Sequence, residues 1–452
     1  MANTTEFISA VFDELAKLLS INDSNPSIAM QMAWPGYALN PADFKRAEAP
    51  NGPYDPDVAK EVFSQLANIA PLMSTARFEN SGFEVDDLYE ILIASAIPVG
   101  ATAADLPANP INRLFSDAQF ELTQAQRGFH DDPNRFYYPC VATPANWYDD
   151  AASQYWPTIT LKQSDAKATP PAASPFARAG GLDLAKAGLW RLKTADVSAV
   201  KSRAEDAATA KIALSRSIVS KSPVAAPIAL KQALGKNVAA ASLSLGSKVP
   251  LAAEKTRTPA FVDSLGKARS AALFSRAAPP ANTLQNRVAA LSRVDLSKRD
   301  LGVPNLVDRL VLKDLLMQQL PATPASPATD GFSISFKFCR VNIDRPWLKL
   351  ALLNNKNWWM FDTPAGEYST GTADNNPGMF PLLTTSFIVI RDLAITANWS
   401  QEDRQNIGNA ASFGFFDVRD GTLNQNTLTV KGMQIIAWIS KVTPKLPPLP
   451  PP

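Results

Sequence analysis

The chain holds one histidine, His130, and two cysteines, Cys140 and Cys339, and that inventory limits its chemistry at once. A cysteine nucleophile would need His130 as its base, either for Cys140 on the same proline-rich stretch or for the distant Cys339. Nothing beside either cysteine marks an activated thiol, so a structural histidine and buried cysteines are expected. A serine triad would need the same histidine, and no Gly-x-Ser-x-Gly elbow is present. Zinc sites favour Cys and His, which are too few here. Calcium could draw on Asp374, Asn375 and Asn376, or on Asp417 and Asp420 with Asn424. Neither set has the spacing of an EF-hand loop, and Asn/Asp runs between strands read as turns. Nucleotide-cradling glycine loops are absent. No metal and no cofactor is therefore expected. Carboxylate pairs for hydrolysis are set by three-dimensional spacing. Asp86–Asp87 and Asp149–Asp150 read better as a helix start and a solvated loop.

Two further residue sets could recognise something. Residues 129–160 alternate aromatics and prolines without helical period, as an ordered loop wrapping its domain would. If exposed, Tyr137, Tyr138, Trp147, Tyr148, Tyr155 and Trp156 would form a stacking surface for a sugar or another ligand. The second set is basic. The formal net charge of +2 conceals a division: residues 1–160 carry 8 Lys+Arg against 21 Asp+Glu, residues 161–330 carry 25 against 12, and residues 331–452 carry 11 against 9. Within the basic middle, Lys231, Lys236, Lys248, Lys255, Arg257, Lys267 and Arg269 are the candidate interaction residues. Leu230, Leu234, Val238, Ala241 and Leu245 fall on one helical stripe there, although an alternating pattern fits Val238–Leu245 almost as well. A single echo, Ala213–Lys221 and Ala290–Lys298, is too little for a repeat architecture. Few aromatics interleave with the basic residues. That ranks nucleic acid below an acidic protein surface, self-association or an anionic membrane as partner.

Periodicity supplies the elements that must position these residues. An amphipathic helix is expected over 5–20. A loop should follow through Met32–Pro41, and a second helix should start at Asp55-Pro56, with Asp as N-cap and Pro at the first helical position. Further helices are expected from about Asp86 to Ile97 and from Asn109-Pro110. Together they suggest an acidic helical domain over 1–160. The basic Ala/Ser/Lys/Pro-rich segment runs over 161–303, helical or partly disordered. An amphipathic helix over 304–320 and an unstructured Pro/Ala linker over 321–331 lead to a β module over 332–443. The tail, 444–452, reads as polyproline II. The fold class is thus α+β and multidomain, ending in an antiparallel β-sandwich or barrel-like module.

One strand organises that module. In Phe332–Trp347 the apolar residues alternate at Phe332, Ile334, Phe336 and Phe338, then slip to Val341 and Ile343. A β-bulge at Cys339-Arg340 would produce such a slip. Downstream, Leu383, Phe387, Val389, Leu393, Ile395, Ala397 and Trp399 are expected on one face of a central strand, with Ile388 and Ile390 on the other.

The N-terminus holds Glu6, Asp13 and Glu14 and lacks a basic leader region, and no run of about 18 apolar residues occurs. A cytoplasmic protein, or one exported without a cleaved signal, is expected. The function read from these features is a non-enzymatic interaction or structural protein. Its basic middle would engage an acidic surface, its own N-terminal domain or a partner. Two alternatives stand beside it: a membrane-active, toxin-like protein whose middle rearranges on anionic lipid, and a carboxylate-dependent hydrolase.

Overall fold

A computed structural model describes residues 27–73, 77–100, 109–130, 136–149, 153–162, 190–192, 322–323, 330–361, 363–373 and 376–451. The expected helices over 5–20 and 304–320, and the seven basic candidates from Lys231 to Arg269, lie outside the described residues.

The described chain opens with β1 (Ile28–Leu39), followed by α1 (Pro56–Ala67), β2 (Ile69–Pro71), β3 (Asn80–Glu84), α2 (Val85–Ser95), β4 (Ala96–Pro98) and α3 (Pro110–Ala125). Short strands β5 (Arg127–Gly128), β6 (Phe136–Tyr137), β7 (Val141–Thr143), β8 (Thr158–Lys162), β9 (Trp190–Leu192) and β10 (Ala322–Thr323) precede the long β11 (Asp330–Asp344). Then come α4 (Leu350–Leu353), β12 (Trp358–Met360), β13 (Leu382–Asn398), α5 (Gln401–Asn409), β14 (Ala410–Phe413), β15 (Phe416–Asp417), β16 (Thr422–Asn424), β17 (Thr427–Val430) and β18 (Met433–Val442). Local chemistry starts the helices. The Asp55 carboxylate accepts from the N–H groups of Asp57 and Val58, and the Asn109 side chain accepts from Ile111 and Asn112. Each cap is followed by a proline whose missing N–H costs nothing there.

The main sheet is antiparallel and ordered β1-β18-β13-β11, with β7 and β8 sharing the outer edge of β11 and β17-β16 continuing beside the second half of β13. Both faces are covered, by different layers. One core joins Val62, Phe63 and Leu66 of α1, Leu88 and Leu92 of α2 and Phe115 of α3 to Val341, Phe387, Val389, Ile435 and Trp438. The other joins Phe332, Ile334, Phe336, Ile388, Ile390 and Ile439 to Ile407, Phe413, Phe415 and Phe416. Neighbouring residues of a strand point to opposite faces. The helices of the acidic stretch and the strands of 332–443 therefore share one core across the sheet, and β1 is hydrogen-bonded to β18.

Several expectations are corrected. The supposed loop at Met32–Pro41 holds most of β1; Pro35 misled the sequence reading. It is accommodated because β1 is an edge strand whose register breaks between Met32 and Tyr37. Gly36 belongs to that break: an added Cβ would lie 2.4 Å from Gln434 Oε1. No bulge occurs at Cys339-Arg340, which pair regularly with Val389 and Ile388. The irregularities lie earlier: one on β11 between Asp330 and Ser333, and one on the other strand, where Ser335 pairs with Ala394 but Lys337 with Arg391. Asp392, at φ 54°, takes up the extra residue, and its carboxylate meets Lys337 Nζ at 2.8 Å. The apolar slip in β11 has another cause. Phe332, Ile334 and Phe336 face the second core, whereas Cys339 and Val341 face the helix-covered one. The bulge also reverses β13, so Phe387 and Val389 lie on one face and Leu393, Ile395, Ala397 and Trp399 on the other. The expected common face does not exist.

The linker expected over 321–331 contains β10. The tail does not present itself as a free polyproline ligand at its start. Leu446 is fully buried, pairs with Ser369, and accepts from the Tyr368 N–H at 2.8 Å. Among the described residues no helix is long and apolar enough to cross a membrane.

Candidate functional site

The six aromatic candidates do not form an exposed stacking face. Trp147, Tyr148 and Trp156 are buried, Tyr137 and Tyr138 are half-buried, and Tyr155 is exposed. Trp147 meets Phe387 edge-on at 5.3 Å, and Tyr148 stacks on Phe44 at 5.4 Å. The Arg391 guanidinium lies over the Trp156 ring at 4.4 Å. Tyr138 tilts against Trp347 at 5.7 Å. The segment straps α1 to the sheet, and its rings are most stabilising where they fill that gap.

Beneath the strap runs a polar seam that the sequence did not announce. Asn68 follows the last residue of α1; its Nδ2 donates to the Tyr138 carbonyl at 3.3 Å. The Cys140 thiol lies 3.6 Å from Asn68 Oδ1 and from the Tyr138 carbonyl, while the Cys140 N–H donates to Ser64 Oγ at 2.9 Å. Arg345, 7% exposed, donates from Nη1 to the Thr384 carbonyl at 2.7 Å and from Nη2 to the Ala67 carbonyl. Ala67 ends α1, so its carbonyl has no donor within the helix, and a cation there also suits the helix dipole. Burial depresses the Arg345 pKa, opposed by Cys140, Asp86 and Asp344. Trp347 Nε1 donates to the Pro139 carbonyl at 3.0 Å. A lone arginine at the end of a strand carries no sequence signal of such a role; only the fold brings Ala67 and Thr384 to it.

The seam is not a nucleophilic site. Burial pushes the Cys140 thiol up to about 12 and the Cys339 thiol up to about 11, so both remain protonated at neutral pH. His130 is elsewhere: its Nε2 lies 3.3 Å from Arg46 Nη1 and 3.9 Å from Glu48 Oε1, and its backbone N–H donates to Glu61. The Cys–His pair is not assembled.

Two of the calcium candidates, Asp417 and Asn376, are engaged otherwise. Asp417 is chelated by Arg419, with Nε 3.0 Å from Oδ1 and Nη2 2.6 Å from Oδ2. Asn376 is tied to Ser369, Thr370 and Thr372 of its own loop. Asp374 and Asn375 lie outside the described residues. Among the described residues no group of three or more His, Cys, Asp and Glu is placed to hold a metal ion.

What the fold does gather is negative charge beside the strap. Burial raises the Tyr137 phenol to about 12, and Glu61 and Asp57 of α1 add to the effect. Burial raises the Tyr138 phenol well above its usual value, and Glu90, Asp86, Asp87 and Glu84 add to the effect. Glu61, Asp86 and Glu90 are themselves buried, and Arg127 and Arg345 oppose them at Tyr137 and Cys140, so this negative charge sits beneath the strap and not on an open face. The opposite charge lies in the long connection between β8 and β11. Residues 163–329 carry 24 Lys+Arg and 11 Asp+Glu, a net of +13; the rest of the chain carries 20 and 31, a net of −11.

Comparisons with protein-family models, with curated proteins and with solved structures gave no match for this chain.

Proposed function

We propose that this is a non-enzymatic interaction protein. A folded body whose N-terminal flank is acidic carries a basic connecting segment, and that segment engages an acidic surface, that flank or the acidic surface of a partner. The observation that carries this reading is the charge division between the β8–β11 connection and everything else. Opposite charges of this size attract over roughly a Debye length, about 8–10 Å at physiological salt, and the attraction weakens as salt is added. Single surface pairs contribute little, so the effect is collective.

Salt-dependent proteolysis tests it. If the segment rests on the body, cleavage within 163–329 quickens as salt rises from 20 mM to about 0.5 M, a range that shortens screening several-fold. Cleavage that does not respond to salt removes the intramolecular form. A partner form then predicts salt-sensitive retention on an immobilised acidic polypeptide, and absence of retention at low salt removes that too.

A further inference from the structure

Strands β8 and β11 are antiparallel neighbours with Lys162 opposite Ser333. The chain that leaves the sheet at Lys162 therefore re-enters it one strand away. Strands β9 and β10 repeat the relation, with Arg191 opposite Ala322. In topology the long basic connection joins the arms of a hairpin, whatever its length.

The contacts that close the body are made between its flanks. From the N-terminal side, β1 pairs with β18, β7 and β8 pair with β11, and β9 pairs with β14. The helix-covered core takes Phe63, Leu88 and Phe115 from one flank and Phe387, Trp358 and Trp438 from the other. Arg345 reaches across to the Ala67 carbonyl, Trp347 to Pro139, and Lys349 to Glu121. The N-terminal flank has no complete core of its own: without β18 the inner edge of β1 is open, and without β13 and β18 the helices have no sheet, while the C-terminal flank alone would leave its half of the helix-covered core bare.

We propose that the body is a two-part assembly, in which the part ending at Leu192 and the part beginning at Ala322 hold each other without the covalent link between them. The physical reason is the extent of the shared contact, a paired sheet edge and an apolar core to which both parts contribute. Closing a loop costs only about (3/2)RT ln n for n residues, so a long link contributes little beyond keeping the parts at an effective concentration of about millimolar or less. A sheet edge paired along its length and an apolar core shared by both parts form a contact of the obligate type, more apolar than a transient one. A cut within 193–321 then frees the ends of a segment with 20 Lys+Arg and 9 Asp+Glu while the body persists. The inference rests on strand register and does not depend on what the basic segment binds.

The test uses the full chain with a specific-protease recognition sequence inserted after Gly246. The protein is folded first, then cut, and analysed by size exclusion with light scattering. Both fragments are expected in one peak, one copy of each, and they should separate only in denaturant. Fragments that elute apart, or precipitate without denaturant, overturn the proposal. A second variant replaces 193–321 with a short Gly/Ser linker. It is expected to give a cooperative melt with a Tm within about 4 °C of the parent. A non-cooperative product overturns the proposal as well. Loss of salt-dependent docking with fragment association intact would count against the functional reading alone.

Discussion

The two faces of the main sheet are built from different parts of the chain. The helix-covered face draws residues from Ala33 through Trp156 and again from Cys339 through Leu446. The opposite face is mostly local, with Phe332–Ile439 supplying nearly all of it and Met30, Met32, Trp34 and Ile159 as the additions. The first core is therefore the joint between distant segments, and the second consolidates the C-terminal strands. Long-range contacts carry a larger loop-closure cost before they stabilise anything, so the joint is the part of the fold that forms against more entropy.

The largest test separates the faces. Phe387 touches Phe63, Trp147 and Trp438, with centroid distances of 5.2–6.0 Å. Phe387→Ala should cost about 3–5 kcal/mol in denaturant unfolding and raise amide exchange in α1 more than in β17. Phe336→Ala, on the other face beside Phe416, should cost a similar amount with the exchange pattern reversed. Identical exchange patterns would show that the two cores do not act separately.

Next in size is the seam. Arg345→Ala leaves the Ala67 and Thr384 carbonyls without this donor and should destabilise by about 2–3 kcal/mol, given roughly 1–3 kcal/mol for each buried group left unsatisfied. A change under 0.5 kcal/mol would mean that the seam is ornamental to the joint.

The alkaline limb of stability should also report the joint. Burial raises Cys140 from 9.0 to about 12 and Tyr89 from 10.0 to about 12, so the folded state keeps protons that the unfolded chain releases. The sign follows: this stability is fully present below the unfolded pKa values and is lost between about pH 9 and 12 as pH rises through the folded ones. Urea titrations from pH 8 to 11 should show a falling midpoint, and a flat or rising midpoint contradicts the burial. In the native state at pH 8 both thiols should resist Ellman's reagent, and two should react once the chain is unfolded.

The smallest effect belongs to the bulge on the local face. Lys337 and Asp392 are each more than 40% exposed, so Lys337→Ala should cost less than about 1 kcal/mol, and less still in high salt. A loss of 2 kcal/mol would make that pair a determinant of the β13 register.

Much of the local structure was legible because it rests on nearest-neighbour chemistry. Asp55-Pro56 and Asn109-Pro110 mark helix starts that the structure contains, since a cap and a proline act within one turn. β13 was recognisable as a central strand because both of its faces are apolar. The edge strand β1 was hidden by Pro35, whose tolerance depends on the break in register between Met32 and Tyr37. The slip in β11 was visible but misread, because a bulge and a change of covering layer leave the same trace in sequence. The aromatic strap was visible as composition, but its exposure was not. The Arg345 seam was not visible at all, since its partners lie 278 and 39 residues away.

The sequence by itself determined the helix caps, the alternation of the strands, the scarcity of nucleophiles and bases, and the separation of charge between the 163–329 connection and the rest. Those follow from residue type and near spacing. Only the tertiary structure decided which face each strand buries, that β1 joins β18, and that the basic connection leaves and returns between adjacent strands. Each of these depends on pairing between segments far apart in the chain, and an alternating pattern specifies that a face is buried without specifying what buries it.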